Sequence, residues 1–297
     1  VVILVSSIAL VGFSGELIRK AKGLPSRYPK NIQPIANFSN SFSFAKSYRQ
    51  NLCFINPKKP GSIIFSEECL EPARSEAKKI FLWGDSHAAH LYPGLHHFED
   101  ETRFRVIQMT SGGCPPILNA HVERRPFCQE VNQKILETIT ATAPDLVVMA
   151  GNWAADPTAW RQYADLDKLA KTIDVLQQLG FRRIILVGSV PAWLGSAPKA
   201  LVKFSKLHNW QDPPDRLPQN FAKQSDNLDA KIEAIAKQKG VSFVSPYHAF
   251  CNSEGCLAKI DGVPTAFDCC HLTESGSRYL IESTLPTILQ LLQLPAK

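Results

Sequence analysis

Residues 79–90 read KIFLWGDSHAAH, an unbroken apolar run that stops at a glycine and passes into helix-forming residues. A run without polar alternation is the signature of a strand buried on both faces, as in parallel sheets. Four more such runs follow, RFRVIQM at 103–109, DLVVMAG at 145–151, RRIILVGS at 182–189 and VSFVSP at 241–246. Helical stretches separate them at roughly 128–142, 165–179 and 220–239, and another at 275–292 follows the last strand. In the second of these, Leu169, Ile173 and Leu176 recur at helical spacing. The alternation predicts an α/β domain over residues 78–297, a three-layer α/β/α body around a parallel five-stranded sheet. Chemistry in such sheets collects at the carboxyl ends of the strands, so the residues after each run are the candidates.

Those residues carry chemistry. After the first run, Gly84 permits a tight turn, Asp85 can tie the loop to backbone N–H groups, and Ser86 starts the next helix. There Ser86 can act as a nucleophile whose own N–H faces a developing oxyanion. Asp-Ser is equally an N-cap pair, and the segment alone leaves both readings open. After the second run, Gly112 or Gly113 can bring a backbone N–H close to a ligand, or simply form the turn before Cys114-Pro115-Pro116. After the third, Asn152 offers an amide donor or an ordinary turn residue, and Trp153 offers a sugar platform or core packing. Near the carboxyl terminus, FDCCHLTESG at 267–276 sets Asp268 three residues before His271, close enough for the carboxylate to orient the imidazole as a base. Thr273 then reads as the N-cap of the last helix, with Gly276 in its first turn.

The order Ser, Gly, Asn and Asp-x-x-His, each after a successive strand, resembles the SGNH (GDSL-like) hydrolases over about residues 78–293. The resemblance implies a flavodoxin-like sheet with Ser86 as nucleophile, His271 as base and Asp268 as its orienter. It also implies an oxyanion hole made by the N–H of Ser86, an N–H of Gly112 or Gly113, and the Asn152 side chain. GDSH at 84–87, GGCPP at 112–116, the Cys251/Cys256 loop and DxxHLT at 268–273 are more narrowly similar to the periplasmic SGNH domains of family 3 membrane acyltransferases. That likeness implies O-acetylation of an envelope glycan such as lipopolysaccharide O-antigen. Its expected partners are a fused amino-terminal membrane domain and a glycan acceptor. No cofactor is expected in this domain, with acetyl-CoA as ultimate donor through the membrane domain. A carbohydrate acetylesterase would use the same residues, and a non-catalytic glycan-binding module is the reading from another class.

Composition bounds the alternatives. The chain has 297 residues, 44% hydrophobic and 20% charged, with net charge +6. No arginine-rich or aromatic-interleaved basic patch marks a nucleic-acid surface. His87, His90, His96 and His97 cluster in sequence, but no carboxylate or cysteine stands at ligand spacing, so no metal is expected. Eight cysteines are many for a reducing compartment. Cys53/Cys69, Cys114/Cys128 and Cys251/Cys256 each flank a loop-like stretch and read as disulfides, whereas adjacent Cys269 and Cys270 are open to several pairings.

The amino-terminal stretch VVILVSSIALVGFSGELI begins with Val and is apolar up to Glu16. With its basic flank, residues 1–22 read as the end of a membrane helix cut from a longer protein. Arg19, Lys20 and Lys22 would place that flank in the cytoplasm, against the cysteines, and the cysteines carry more weight. The expected location is therefore the bacterial inner membrane, with this domain in the periplasm. Residues 23–77 read as a linker or extension laid over the body, and 191–216, with Trp193, His208 and Trp210, as a long loop near the site.

Overall fold

The computed structural model describes residues 2–20, 24–59, 61–74, 76–153, 165–223 and 226–293. Its centre is a parallel sheet built from β1 (Phe54–Ile55), β2 (Lys78–Gly84), β3 (Phe104–Ser111), β4 (Leu146–Ala150), β5 (Ile184–Val187) and β6 (Ser242–Val244). The spatial order is β1-β3-β2-β4-β5-β6. The sheet thus has six strands where the sequence predicts five. The extra one lies in the segment read as linker, where Phe54 and Ile55 pair with Thr110 and Ser111 of β3. Two residues are too few to carry a hydrophobic period, which is why the strand escapes a pattern search.

Side chains alternate across the sheet, and each face has its own core. Ile80 and Leu82 of β2 join Val148 of β4 on one face, against Leu91, Leu95, Leu280 and Ile281. Phe81, Trp83 and Met149 point to the other face, against Ile135, Ile139, Leu169 and Ile173. The second face is covered by helices Cys128–Thr142, Leu166–Gln178 and Asp226–Lys239, and the first largely by Tyr92–His97 and Glu274–Leu292. Trp83 is fully buried, and its indole N–H donates to Asn132 Oδ1 at 2.9 Å. Asn132 in turn donates to the carbonyls of Pro115 and Ile117, fixing the chain after β3.

The stretch 191–216 is not one long loop. It contains the helix Ala197–Leu207, capped by Ser196, whose side chain accepts from the Lys199 N–H at 3.2 Å. Pro198 reads as a breaker in sequence but sits in the first turn, where no intrahelical N–H bond is lost.

Disulfides join Cys53 to Cys69, Cys114 to Cys128 and Cys251 to Cys256, as the spacing suggests. Cys269 is joined to Cys270. At sequence separations of 16 and 14, the first two each contribute about 3 kcal/mol by restricting the unfolded chain. The apolar amino terminus forms the helix Val2–Lys20, and no helix among the described residues is long and apolar enough to cross a membrane. The boundary expected after residue 22 lies outside the described residues.

Candidate active site

The order β3-β2-β4 means that the chain leaves β2 for one side of the sheet and later returns to the other. The carboxyl end of β2 is therefore the topological switch point, where open α/β sheets bind ligands. Gly84 ends the strand with φ +151°, and a Cβ there would overlap the Ala150 carbonyl of β4. Only glycine allows so close an approach. Asp85 follows and is 2% exposed. Its Oδ1 accepts from the His87 N–H at 2.7 Å, and its Oδ2 accepts from the Asn152 N–H at 2.9 Å. The carboxylate thereby ties the serine turn to the end of β4. Burial pushes its carboxyl above the usual range, and the Asn152 and His87 N–H bonds only partly offset that.

Ser86 opens the short helix Ser86–Ala89. Its Oγ lies 2.8 Å from His271 Nε2, and His271 Nδ1 lies 2.8 Å from Asp268 Oδ2. Asp268 Oδ1 also accepts from the N–H groups of Cys270 at 2.9 Å and His271 at 2.8 Å. Burial alone would raise the Asp268 carboxyl. The imidazole bond and charge of His271, with the two N–H donors, outweigh it and hold the group below the usual range. The carboxylate is therefore ionised at neutral pH and keeps the Nδ1 proton facing it, leaving Nε2 to accept from Ser86. Ser86 and the distant Asp268/His271 pair thus form a connected Ser–His–Asp relay. Thr273 caps the final helix as expected, its Oγ1 accepting from the Gly276 N–H at 3.2 Å.

Behind the relay, His87 and His90 pack on His271 with ring centroids 5.0 and 6.3 Å away. Burial, then the neighbouring His87 and His271, drive the pKa of His90 well below the ordinary value, so that ring is neutral. A neutral His90 spares the relay a competing positive charge.

The two glycines after β3 are distinguished by their backbone. The Gly112 N–H donates to the Ile55 carbonyl of β1 at 3.0 Å and is spent. Gly113 has φ +69° in a turn closed by the Cys114 N–H donating to the Ser111 carbonyl at 3.0 Å. Positive φ at that position is the type II signature, and it suits glycine. The Gly113 N–H donates no backbone hydrogen bond among the described residues, and Gly113 lines the same cleft as Ser86. The Asn152 N–H bond to Asp85 holds its backbone beside the serine turn, although Asn152 is not among the described residues that line the cleft.

Trp153 is a correction. It is 1% exposed, and its indole N–H donates to the Val187 carbonyl at 2.7 Å, so it offers no face to a sugar. Aromatic rings do reach the site from elsewhere. Ser86, Asp268 and His271 open into a cleft of about 240 Å³ whose one wall is Phe44, Tyr48, Phe54 and Phe267. Phe44 stacks on Phe267 at 5.5 Å, and Phe267 stacks on His271 at 5.8 Å. The cleft is also lined by Gln50, Asn56 and Arg125, with Asn56 beside Gly112 and Arg125 beside Gly113. None of these was singled out in sequence. The signal available was the density of aromatics between 38 and 54, next to a predicted disulfide.

Comparison with known proteins follows the same lines. The family described as "SGNH domain (fused to AT3 domains)" matches residues 52–286. Among solved structures, the chain is similar to the periplasmic domain of a Salmonella ser. Paratyphi A lipopolysaccharide acetyltransferase. The two share 24% identity over 86% of this chain and 97% of that one, with TM-score 0.71. A more distant likeness is to an acetylxylan esterase from Geobacillus stearothermophilus, at 16% identity over 73% of this chain and 94% of that one, with TM-score 0.44. No curated protein sequence matches the chain.

Proposed function

Because the chain belongs to the family of SGNH domains fused to AT3 domains, we propose that it transfers an acyl group, through an ester on Ser86, to a hydroxyl of a cell-envelope glycan. The observation that carries the reading is the unbroken relay from Ser86 Oγ through His271 to Asp268, with both contacts at 2.8 Å. Nucleophile, base and orienter in hydrogen-bond reach are the requirement for serine acyl transfer.

In the first step His271 Nε2 takes the Ser86 proton as Oγ attacks the acyl carbonyl. The N–H groups of Ser86 and Gly113, with the Asn152 amide, stabilise the tetrahedral oxyanion. Collapse expels the donor's leaving group, which takes the proton from His271, and leaves the acyl ester on Ser86. A glycan hydroxyl then gives its proton to His271 and attacks that ester, and His271 passes the proton to Ser86 Oγ as that oxygen leaves, regenerating Ser86 and the neutral imidazole. Asp268 stays ionised throughout and stabilises the imidazolium formed in each half-reaction.

The family supports acetyl as the acyl group and a fused AT3 membrane domain as its supplier, with acetyl-CoA as the ultimate donor. The acceptor would be a lipopolysaccharide O-antigen or related polymer, modified in the periplasm at the inner membrane. Ser86→Ala should lower p-nitrophenyl acetate turnover at least about 10³-fold and abolish labelling by a fluorophosphonate probe. Unchanged turnover would sink the assignment, and an unlabelled wild-type protein would favour a binding module. Incubation with an acetyl donor and a defined oligosaccharide separates transfer from acetylesterase action, since only transfer yields net acetylated sugar.

A further inference from the structure

We propose that the cleft selects an acidic glycan, and that Arg125 is the residue that reads its carboxylate or phosphate. Arg125 has no role in the relay, yet it lines the same cleft as Ser86 and His271. Its side chain crosses Gly113, with Nε 3.0 Å and Cγ 3.4 Å from where a Cβ on that glycine would stand. The guanidinium is thus set over the turn that supplies the oxyanion hole, at the rim an acceptor must cross.

The loop carrying it is fixed. The Arg125 N–H donates to the Val122 carbonyl at 2.8 Å, and the Cys128 N–H donates to the Arg125 carbonyl at 3.0 Å. Val122 is buried, and the disulfide from Cys128 to Cys114 closes the loop directly beside Gly113. An arginine on so constrained a backbone loses less freedom on binding than one on an open loop.

Its charge is uncommitted. None of the ion pairs among the described residues involves Arg125. Among the described residues Asp268 is the one carboxylate lining the cleft, and its two oxygens are engaged by His271 and by the N–H groups of Cys270 and His271. A half-buried guanidinium with no partner among the described residues, lining a cleft, fits a planar anion with two oxygens. Aromatic lining supplies the other part of a sugar site, since Phe44 and Phe267 lie within 7° of parallel and suit the apolar face of a pyranose ring. Asn56, beside Gly112, and Gln50 add hydrogen-bonding groups to the same cleft.

This inference deepens the acyl-transfer reading and rests on it, because it takes the cleft as the acceptor site. The test measures inhibition of p-nitrophenyl acetate hydrolysis by methyl α-galactopyranoside, its uronate and its 6-phosphate. The better of the two anions should bind at least about tenfold more tightly than the neutral glycoside, as expected for one charge-assisted contact. The stronger anion identifies the group that Arg125 reads. Arg125→Gln should bring the acid-to-neutral ratio close to one, and Arg125→Lys should retain part of it. Calorimetric titration of the same glycosides into Ser86→Ala protein reads binding without turnover. Equal binding of neutral and acidic glycosides by the unaltered cleft overturns the inference even if an Arg125 variant fails to fold. So does a preference that survives Arg125→Gln, or a fall in ester kcat with the ratio unmoved, which would assign Arg125 to the oxyanion. Each of those outcomes leaves the Ser86 chemistry standing, whereas a failed Ser86→Ala test removes both.

Discussion

The turn that carries Ser86 and the loop that carries His271 meet at the Ser86–His271 hydrogen bond, yet different physics holds each of them. The serine turn is set by its immediate surroundings. Gly84 runs against the Ala150 carbonyl, and one buried carboxylate, Asp85, binds the N–H groups of His87 and Asn152. The histidine loop has a local clamp in Asp268, but its outer side is held from the far end of the chain. Phe42 and Phe44 stack on Phe267, Ser39 Oγ donates to the Phe267 carbonyl, and the Tyr48 hydroxyl donates to the Leu272 carbonyl at 2.6 Å. These contacts span more than two hundred residues of sequence. The nucleophile is therefore positioned by main-chain crowding, and the base by a docked extension.

That contrast can be broken in three places. The largest effect is expected from Asp268→Asn, which keeps the size of the side chain but allows His271 to adopt the wrong tautomer. Ester hydrolysis should fall by about 10³–10⁴-fold with little change in melting temperature. A loss below tenfold would mean that packing alone orients the imidazole. Next comes Gly84→Ala, which pushes a methyl group into the Ala150 carbonyl and imposes a φ that L residues avoid. It should cost about 3 kcal/mol or more in urea unfolding. An unmoved midpoint would show that the turn can relax, so crowding does not set Ser86. The smallest is Phe44→Ala, which removes one half-buried ring behind the histidine loop. It should reduce stability by about 1–2 kcal/mol and kcat/KM by about tenfold or less. Activity falling no further than stability predicts would reduce the extension to a simple cover.

The same contrast explains what could be read from sequence. The β2–Ser86 turn was placed by consecutive residues, an apolar run followed by Gly84, Asp85 and Ser86, and its catalytic reading came from the order of the glycine, Asn152 and DxxH segments after later strands. The DxxH pair was legible for the same reason, since Asp268 and His271 share one turn. The division of labour between Gly112 and Gly113 was not, because it depends on Ile55, a residue of a strand too short to have a period. Trp153 was misplaced because an indole at a strand end has the same sequence signature whether it faces a ligand or the core. Its bond to the Val187 carbonyl across the sheet decides that, and no local pattern encodes it. Phe44, Phe267 and Arg125 reach the cleft only through tertiary docking and a disulfide-closed loop.

The outermost strands have a consequence of another kind. β1 has two residues and β6 three, against seven and eight in the central β2 and β3. Cys53, immediately before β1, is also tied by a disulfide to Cys69. An unpaired edge invites another chain to add a strand, and very short edges deny it a template. The sheet can therefore be crowded among other proteins without serving as a rail for aggregation. Recognition is left to the cleft at its carboxyl end, where side chains rather than backbone do the selecting.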